Sequence, residues 1–176
     1  VCAELKNITG QGLEAQSLIE LVSEGKTVVS DKQHIVFRTD KTQTLRVQIP
    51  VENPKKWSPD QPALYECRIT TVVEDKVCDM TASEFGIRIL ALDPVHGLQI
   101  NGETVNLRGS CIHHDNGVIG AETFPEAEWY RCKRLKEAGF NAIRSAHHPM
   151  SRAMLNACDY LGMLVMDELT DMWNKG

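Results

Sequence analysis

Up to about residue 90 the chain alternates apolar and polar positions with a period of two. Leu45, Val47 and Ile49 stand against Thr44, Arg46 and Gln48. Tyr65, Cys67, Ile69, Thr71 and Val73 stand against Leu64, Glu66, Arg68 and Thr70. Such a period puts one face on a core and the other in water, as in a half-buried strand. The polar triplet Glu74-Asp75-Lys76 falls between two such runs and predicts a hairpin. No stretch before residue 90 keeps a helical period. Residues 1–90 are therefore expected to form a small antiparallel β-sandwich.

Beyond residue 90 the pattern alternates between strand and helix. Residues 104–111 predict a strand. Residues 125–138 predict a helix: Pro125 suits its first turn, Trp129, Cys132, Leu135 and Ala138 recur at helical spacing, and Gly139 can close it. Residues 141–146 predict a second strand. Residues 151–161 predict a second helix, with Ser151 as N-cap, Met154, Leu155, Cys158 and Leu161 on one face, and Gly162 at its end. Residues 164–168 form a short apolar run ending in Asp167 and Glu168. The order β-α-β-α-β implies parallel strands, and the expected domains are 1–90 and 91–176. Three strands and two helices are too few to close a barrel. They make either a small open sheet or a fragment.

Apolar residues are 42% of the 176 and charged residues 24%, an ordinary balance for a packed domain. The net charge of −5 is spread evenly, with 11 basic and 13 acidic side chains in residues 1–90 and 8 and 11 in residues 91–176. Neither part has the basic surplus of a nucleic-acid binder. No apolar run approaches the ~20 residues of a bilayer span, so no membrane partner is expected either. Val1 is followed by polar, strand-like sequence, and no signal peptide is expected. The six cysteines form no C-x-x-C pair and several lie in apolar stretches. That predicts buried free thiols rather than a disulfide framework.

Each strand of the second part ends in reactive side chains: His113, His114 and Asp115; then Arg144, His147 and His148; then Asp167 and Glu168. In parallel α/β folds sites are built at the C-terminal strand ends. A His-His-Asp rim could hold sugar hydroxyls, because imidazole donates and accepts and a carboxylate accepts strongly. The same histidines read equally well as loop residues without a role. Arg144 lies within an apolar strand, where a guanidinium needs a carboxylate; such a pair can also be purely architectural. Asp167 and Glu168 are strand neighbours and point to opposite faces. They cannot form a glycosidase pair, whose carboxyl groups face each other about 5 Å apart or more. One is expected to enter the site, as an acceptor or as partner to Arg144 or a histidine. The other is expected to hold the barrel together. Adjacent histidines diverge on extended chain, so a tetrahedral zinc site is not expected. Trp57, in the rigid turn Lys56-Trp57-Ser58-Pro59-Asp60-Gln61-Pro62, is expected to plug an end of the sandwich rather than stack on a sugar.

Trp57-Ser58-Pro59-x-x-Pro62-x-Leu64-Tyr65 and Phe85-Gly86-Ile87-Arg88 resemble the end of the immunoglobulin-like domain of family 2 glycoside hydrolases. Four further stretches resemble, in order, the start of that family's catalytic barrel. These are Leu98-x-Ile100-Asn101-Gly102, Leu107-Arg108-Gly109 with His113-His114-Asp115, Asn141-x-x-Arg144-Ser145-x-His147-His148-Pro149, and Asp159-x-x-Gly162-x-Leu164-Val165-x-Asp167-Glu168. The resemblance implies an all-β immunoglobulin-like sandwich followed by the N-terminal part, about three βα units, of a (β/α)8 TIM barrel. It implies a retaining β-glycosidase, first of all a β-galactosidase, acting on a β-linked oligosaccharide or glycoside. β-Glucuronidase and β-mannosidase are the alternatives within the family, and a non-catalytic carbohydrate-binding module the alternative outside it.

The resemblance also implies a jelly-roll domain before Val1 and both catalytic glutamates beyond Gly176. The family's acid/base follows an Asn, and no Asn-Glu dipeptide occurs here. These 176 residues alone are thus expected to be inactive, and either to self-associate or form a homo-oligomer through the incomplete barrel, whose strand edge and helix faces lack cover, or to be locally disordered after about residue 115. The substrate-binding residues carried over by resemblance are His113, Asp115, Arg144 (beside the nucleophile), His147 (against sugar hydroxyls) and Glu168. No catalytic residue, metal site or cofactor is implied within the chain. The sequence departs from its relatives at Ala146 and His148, where they often carry Ser and Tyr. It departs again at Met172 and Asn174, where magnesium-dependent members carry Glu and His.

Overall fold

The computed structural model describes residues 1–38 and 42–170; Met172 and Asn174 lie outside them. The chain forms two units, Val1–Pro54 with Tyr65–Phe85, and Lys55–Leu64 with Gly86–Gly176. Among the described residues no helix is long and apolar enough to cross a membrane.

The first unit holds β1 (Cys2–Lys6), β2 (Leu13–Ser23), β3 (Lys26–Phe37), β4 (Thr42–Arg46), β5 (Tyr65–Val73) and β6 (Lys76–Phe85). All pairings are antiparallel, in a four-stranded sheet of order β3-β2-β5-β6 and a two-stranded sheet β1-β4. Ala15, Ile19, Ile35, Phe37 and Ile69 of the larger sheet pack with Leu45 of the smaller, and Ala3 and Leu5 lie alongside. This is the core of the expected sandwich. Ser17 and Thr71, opposite each other in the ladder, are buried in it. Their hydroxyls bond to each other at 3.1 Å, which spares the fold two orphan polar groups. The run from Leu45 to Ile49 is not one strand. β4 ends at Arg46, Val47 N–H adds one bond to the Val1 carbonyl at 3.0 Å, and Pro50 lacks the N–H to continue a ladder.

The hairpin at Glu74-Asp75 forms as the polar triplet suggests, but with unfavourable residues. Both sit at positive φ, 48° and 60°, as a two-residue turn matched to strand twist requires. Neither is the Asn or Gly that such a turn prefers. The double substitution Glu74→Asn with Asp75→Gly is expected to stabilise this unit by about 0.5–1 kcal/mol, read as a higher urea midpoint at unchanged slope.

The second unit opens with an antiparallel meander, β7 (Leu90–Asp93), β8 (Gly97–Ile100) and β9 (Glu103–Thr104). Three parallel strands follow, β10 (Gly109–Ile112), β11 (Ala142–Ser145) and β12 (Leu164–Met166), joined through α1 (Pro125–Glu137) and α2 (Arg152–Leu161). The strand predicted over residues 104–111 is therefore split. Asn141 explains the break: its amide donates to the Asn106 carbonyl at 3.0 Å and accepts from Arg108 N–H at 2.7 Å, replacing ladder bonds with side-chain ones. Both helices pack on one face of the sheet over Ile112, Cys132, Ile143, Met154, Ala157, Cys158 and Met163. Ser151 caps α2 by accepting from Met154 N–H at 3.1 Å, and Gly162 ends it in the left-handed conformation.

Three expectations need correction here. Trp129 does not face the core: it is 41% exposed beside Tyr160, while its neighbour Glu128 is fully buried. Trp57 is structural but does not plug the sandwich. It is buried in the second unit, where its Nε1–H donates to the Asp159 carbonyl at 2.8 Å and Arg88 lies over its ring. The cysteines are free, but only Cys132 and Cys158 are buried. Cys2, Cys78 and Cys111 are exposed, and Cys67 is intermediate. Cys78 illustrates the reason: it lies on β6, an edge strand whose residues are nearly all exposed.

Candidate functional site

Period-two geometry on β11 sends Ile143 to the helix core and Arg144 to the other face of the sheet. There Arg144 sits in register between Cys111 on β10 and Met166 on β12, beside a cavity of about 550 Å³. Its Nε donates to Oε1 of Glu168, and Nη1 lies 3.8 Å from Cys111 Sγ. His147 Nδ1 lies 3.2 Å from the other oxygen of Glu168. A carboxylate only accepts, so Nδ1 carries the proton. Desolvation alone would raise the Glu168 carboxyl, but hydrogen bonds from Arg144 and then His147 outweigh it and hold it below its ordinary value. The bond to Glu168 in turn raises the Arg144 guanidinium above its own. Glu168 is thereby kept ionised, as an acceptor braced by two donors.

The four histidines separate into two pairs, each spanning two strand ends. His113 meets His147 edge to face with ring centroids 5.7 Å apart. His114 stacks flat on His148 at 4.3 Å. Neighbouring histidines thus point apart, as extended backbone requires. His114 Nε2 also accepts from Ser151 N–H at 3.2 Å, at the start of α2. The two terminal carboxylates divide as their alternation implies: Glu168 enters the cluster, and Asp167 accepts from Met150 N–H at 2.8 Å, tying β12 to the loop after β11. The peptide bond Ala146–His147 is cis.

Of the residues expected to bind substrate, His113, Arg144, His147 and Glu168 form one connected cluster. Asp115 is exposed and turns to its own loop, with Oδ1 3.3 Å from Gly117 N–H. Sequence reasoning missed Asn116, Glu128 and Arg131, which hold that loop to α1. The missed signal was a Glu at the position next to Trp129 with an Arg three residues on, a spacing that pairs on a helix.

His114 predicts a pH dependence. Burial first, and then the neighbouring His148, lower its pKa; Arg131 adds to this and Glu128 opposes it. The unfolded chain accepts this proton near pH 6.5 while the folded chain resists it to lower pH. The contribution to stability is therefore complete above about pH 6.5 and is lost as pH falls through the lowered folded value. Urea midpoints measured from pH 7.5 to 5 are expected to fall, and His114→Gln to make the fall shallower.

Comparison with known proteins places these features. The model of glycosyl hydrolases family 2 matches residues 1–88, and that of the family 2 TIM barrel domain matches residues 95–172. A putative β-glucuronidase of Formosa agariphila is 40% identical over 73% of this chain and 12% of its own length. A β-galactosidase of Bacteroides ovatus is 35% identical over 87% of this chain and 18% of its own. The chain thus spans less than a fifth of these curated relatives. A crystal structure of a family 2 member from Bacteroides cellulosilyticus superposes with a TM-score of 0.93 at 39% identity, over 98% of this chain and 24% of that one. The β-glucuronidase of Bacteroides uniformis superposes at 0.89 with 28% identity, over 96% and 20%. The fold is an immunoglobulin-like sandwich followed by the first three strands of a (β/α)8 barrel.

Proposed function

Because this chain belongs to glycosyl hydrolase family 2, we propose that it is the segment of a retaining β-glycosidase that binds the sugar, and that the whole enzyme hydrolyses terminal β-galactosides. The observation that carries the reading is Glu168, braced between Arg144 and His147 at the C-terminal ends of barrel strands. An oxocarbenium-like transition state needs one carboxylate kept ionised and the sugar ring held in place. Arg144 serves the first need by its charge on the inner face of the barrel. His113, His147 and Glu168 serve the second by holding hydroxyls, and Asp115 is proposed to turn inward onto substrate. The two facing carboxylates of the reaction are supplied by sequence outside these 176 residues.

A neutral sugar is favoured by charge. Of the strand-end carboxylates Glu168 enters the cluster, and it is matched there by the Arg144 guanidinium, a balance better suited to hydroxyls than to a uronic acid. A β-glucuronide is the second reading, and the 40% identical relative favours it. The test is a set of initial rates for the full-length protein on nitrophenyl β-galactoside, β-glucuronide and β-mannoside. The galactoside is expected to give the largest kcat/KM, and the 176-residue chain alone no turnover. A glucuronide preference would establish the second reading, and no turnover of any would end both.

A further inference from the structure

We infer that Arg131 and Asn116, closing on the buried Glu128, form a clamp that positions His113 against His147 for substrate; its functional meaning rests on the glycosidase reading above. Glu128 is fully buried on α1, a place where an apolar side chain would pack at less cost. Its hydrogen bonds run to Asn116, on the loop after β10, and to Arg131, on its own helix. Asn116 Nδ2 donates to Glu128 Oε1 at 3.0 Å and to the Glu122 carbonyl at 2.7 Å. Arg131 Nη1 lies 3.3 Å from both carboxylate oxygens and donates to Asn116 Oδ1 at 2.8 Å. Arg131 Nη2 donates to the His113 carbonyl at 3.0 Å.

One guanidinium therefore joins a buried carboxylate, the loop and the backbone of a rim histidine. The planar fork is what makes this feasible, since its donors leave in fixed directions. A polar network around a buried carboxylate, whose members satisfy one another, selects one geometry over its neighbours. The geometry selected here continues outward. His113, fixed at its carbonyl, meets the His147 ring, and His147 donates to Glu168. Glu128 and Arg131 need touch no sugar; they are positioning residues acting through His113.

Arg131→Lys separates positioning from folding. A lysine keeps a positive charge beside Glu128 but cannot reach three partners with directed bonds. In the 176-residue chain labelled at histidine, nuclear magnetic resonance reads the through-space contact between the His113 and His147 rings. The contact is expected in the wild type and lost in Arg131→Lys, with a melting midpoint within about 3 °C of the wild type. Asn116→Ala, on the partly exposed loop, is expected to behave alike and guards against a misfolded lysine variant. In the full-length enzyme Arg131→Lys is expected to raise KM about fivefold with kcat within about twofold, the mark of a ground-state contact. A ring contact unchanged in both variants would overturn the clamp, as would its loss with unaltered KM. Full-length wild type without β-glycosidase activity would instead fail the functional reading, while the ring contact would still decide the clamp.

Discussion

Gly162→Ala is expected to destabilise the second unit by about 3–5 kcal/mol, read as a large fall in urea midpoint. Two costs add. Gly162 ends α2 at φ +72°, a conformation that charges any Cβ about 1–2 kcal/mol. A Cβ built there also falls 2.1 Å from the Pro59 carbonyl oxygen, a backbone atom that cannot swing aside. Pro59 is held there by Lys136, whose ammonium donates to the Pro59 carbonyl at 2.7 Å and to the Gly162 carbonyl at 2.9 Å. Trp57, on the same segment, is anchored to the Asp159 carbonyl. The loop thus sits on the C-terminal end of α2, where backbone carbonyls lack helical partners. Gly139→Ala is the control. Gly139 has φ +89° but open space around its Cβ position, so about 1 kcal/mol is expected. Equal effects at the two glycines would show that the contact with Pro59 carries no energy.

Arg144→Ala in the full-length enzyme is expected to lower kcat/KM about 100-fold or more, with most of the loss in kcat. The alanine removes the main donor that keeps Glu168 ionised and the cation proposed to face the nucleophile. Arg144→Lys restores charge without the directed Nε–H and is expected to recover less than about tenfold. Glu168→Gln keeps the shape of the cluster, loses its charge and should fall in the same range. Because the two side chains act on each other, the double variant is expected to be little worse than the poorer single one. Full additivity would mean that Arg144 and Glu168 serve separate purposes.

That Arg144 needs a carboxylate, and that only one of Asp167 and Glu168 enters the site, was legible from the apolar strand and its alternation; that Glu168 is the one that meets Arg144, and His147 as well, came from the structure. Ser151 and Gly162 were legible because caps are local. The burial of Glu128 was not. Helical spacing chose Trp129, and the partner that reverses this choice, Asn116, lies 12 residues away across a loop. The break at residues 105–108 was hidden in the same way, since its cause is the side chain of Asn141. The longest strands, β2 and β3, also escaped. In β2 the buried Leu21 and Val22 are adjacent at an irregularity in the ladder, which blurs the period of two. Asp115 shows the limit for a site: its place in the sequence suits a rim, but its carboxylate faces its own loop.

If these strand ends serve a retaining β-glycosidase, the full-length protein releases the sugar first with its anomeric configuration kept. Proton spectra recorded in the first minutes on an aryl β-galactoside should contain β-galactose, with the α-anomer growing later by mutarotation. The α-anomer appearing first, or no release of sugar from any β-glycoside, would contradict it.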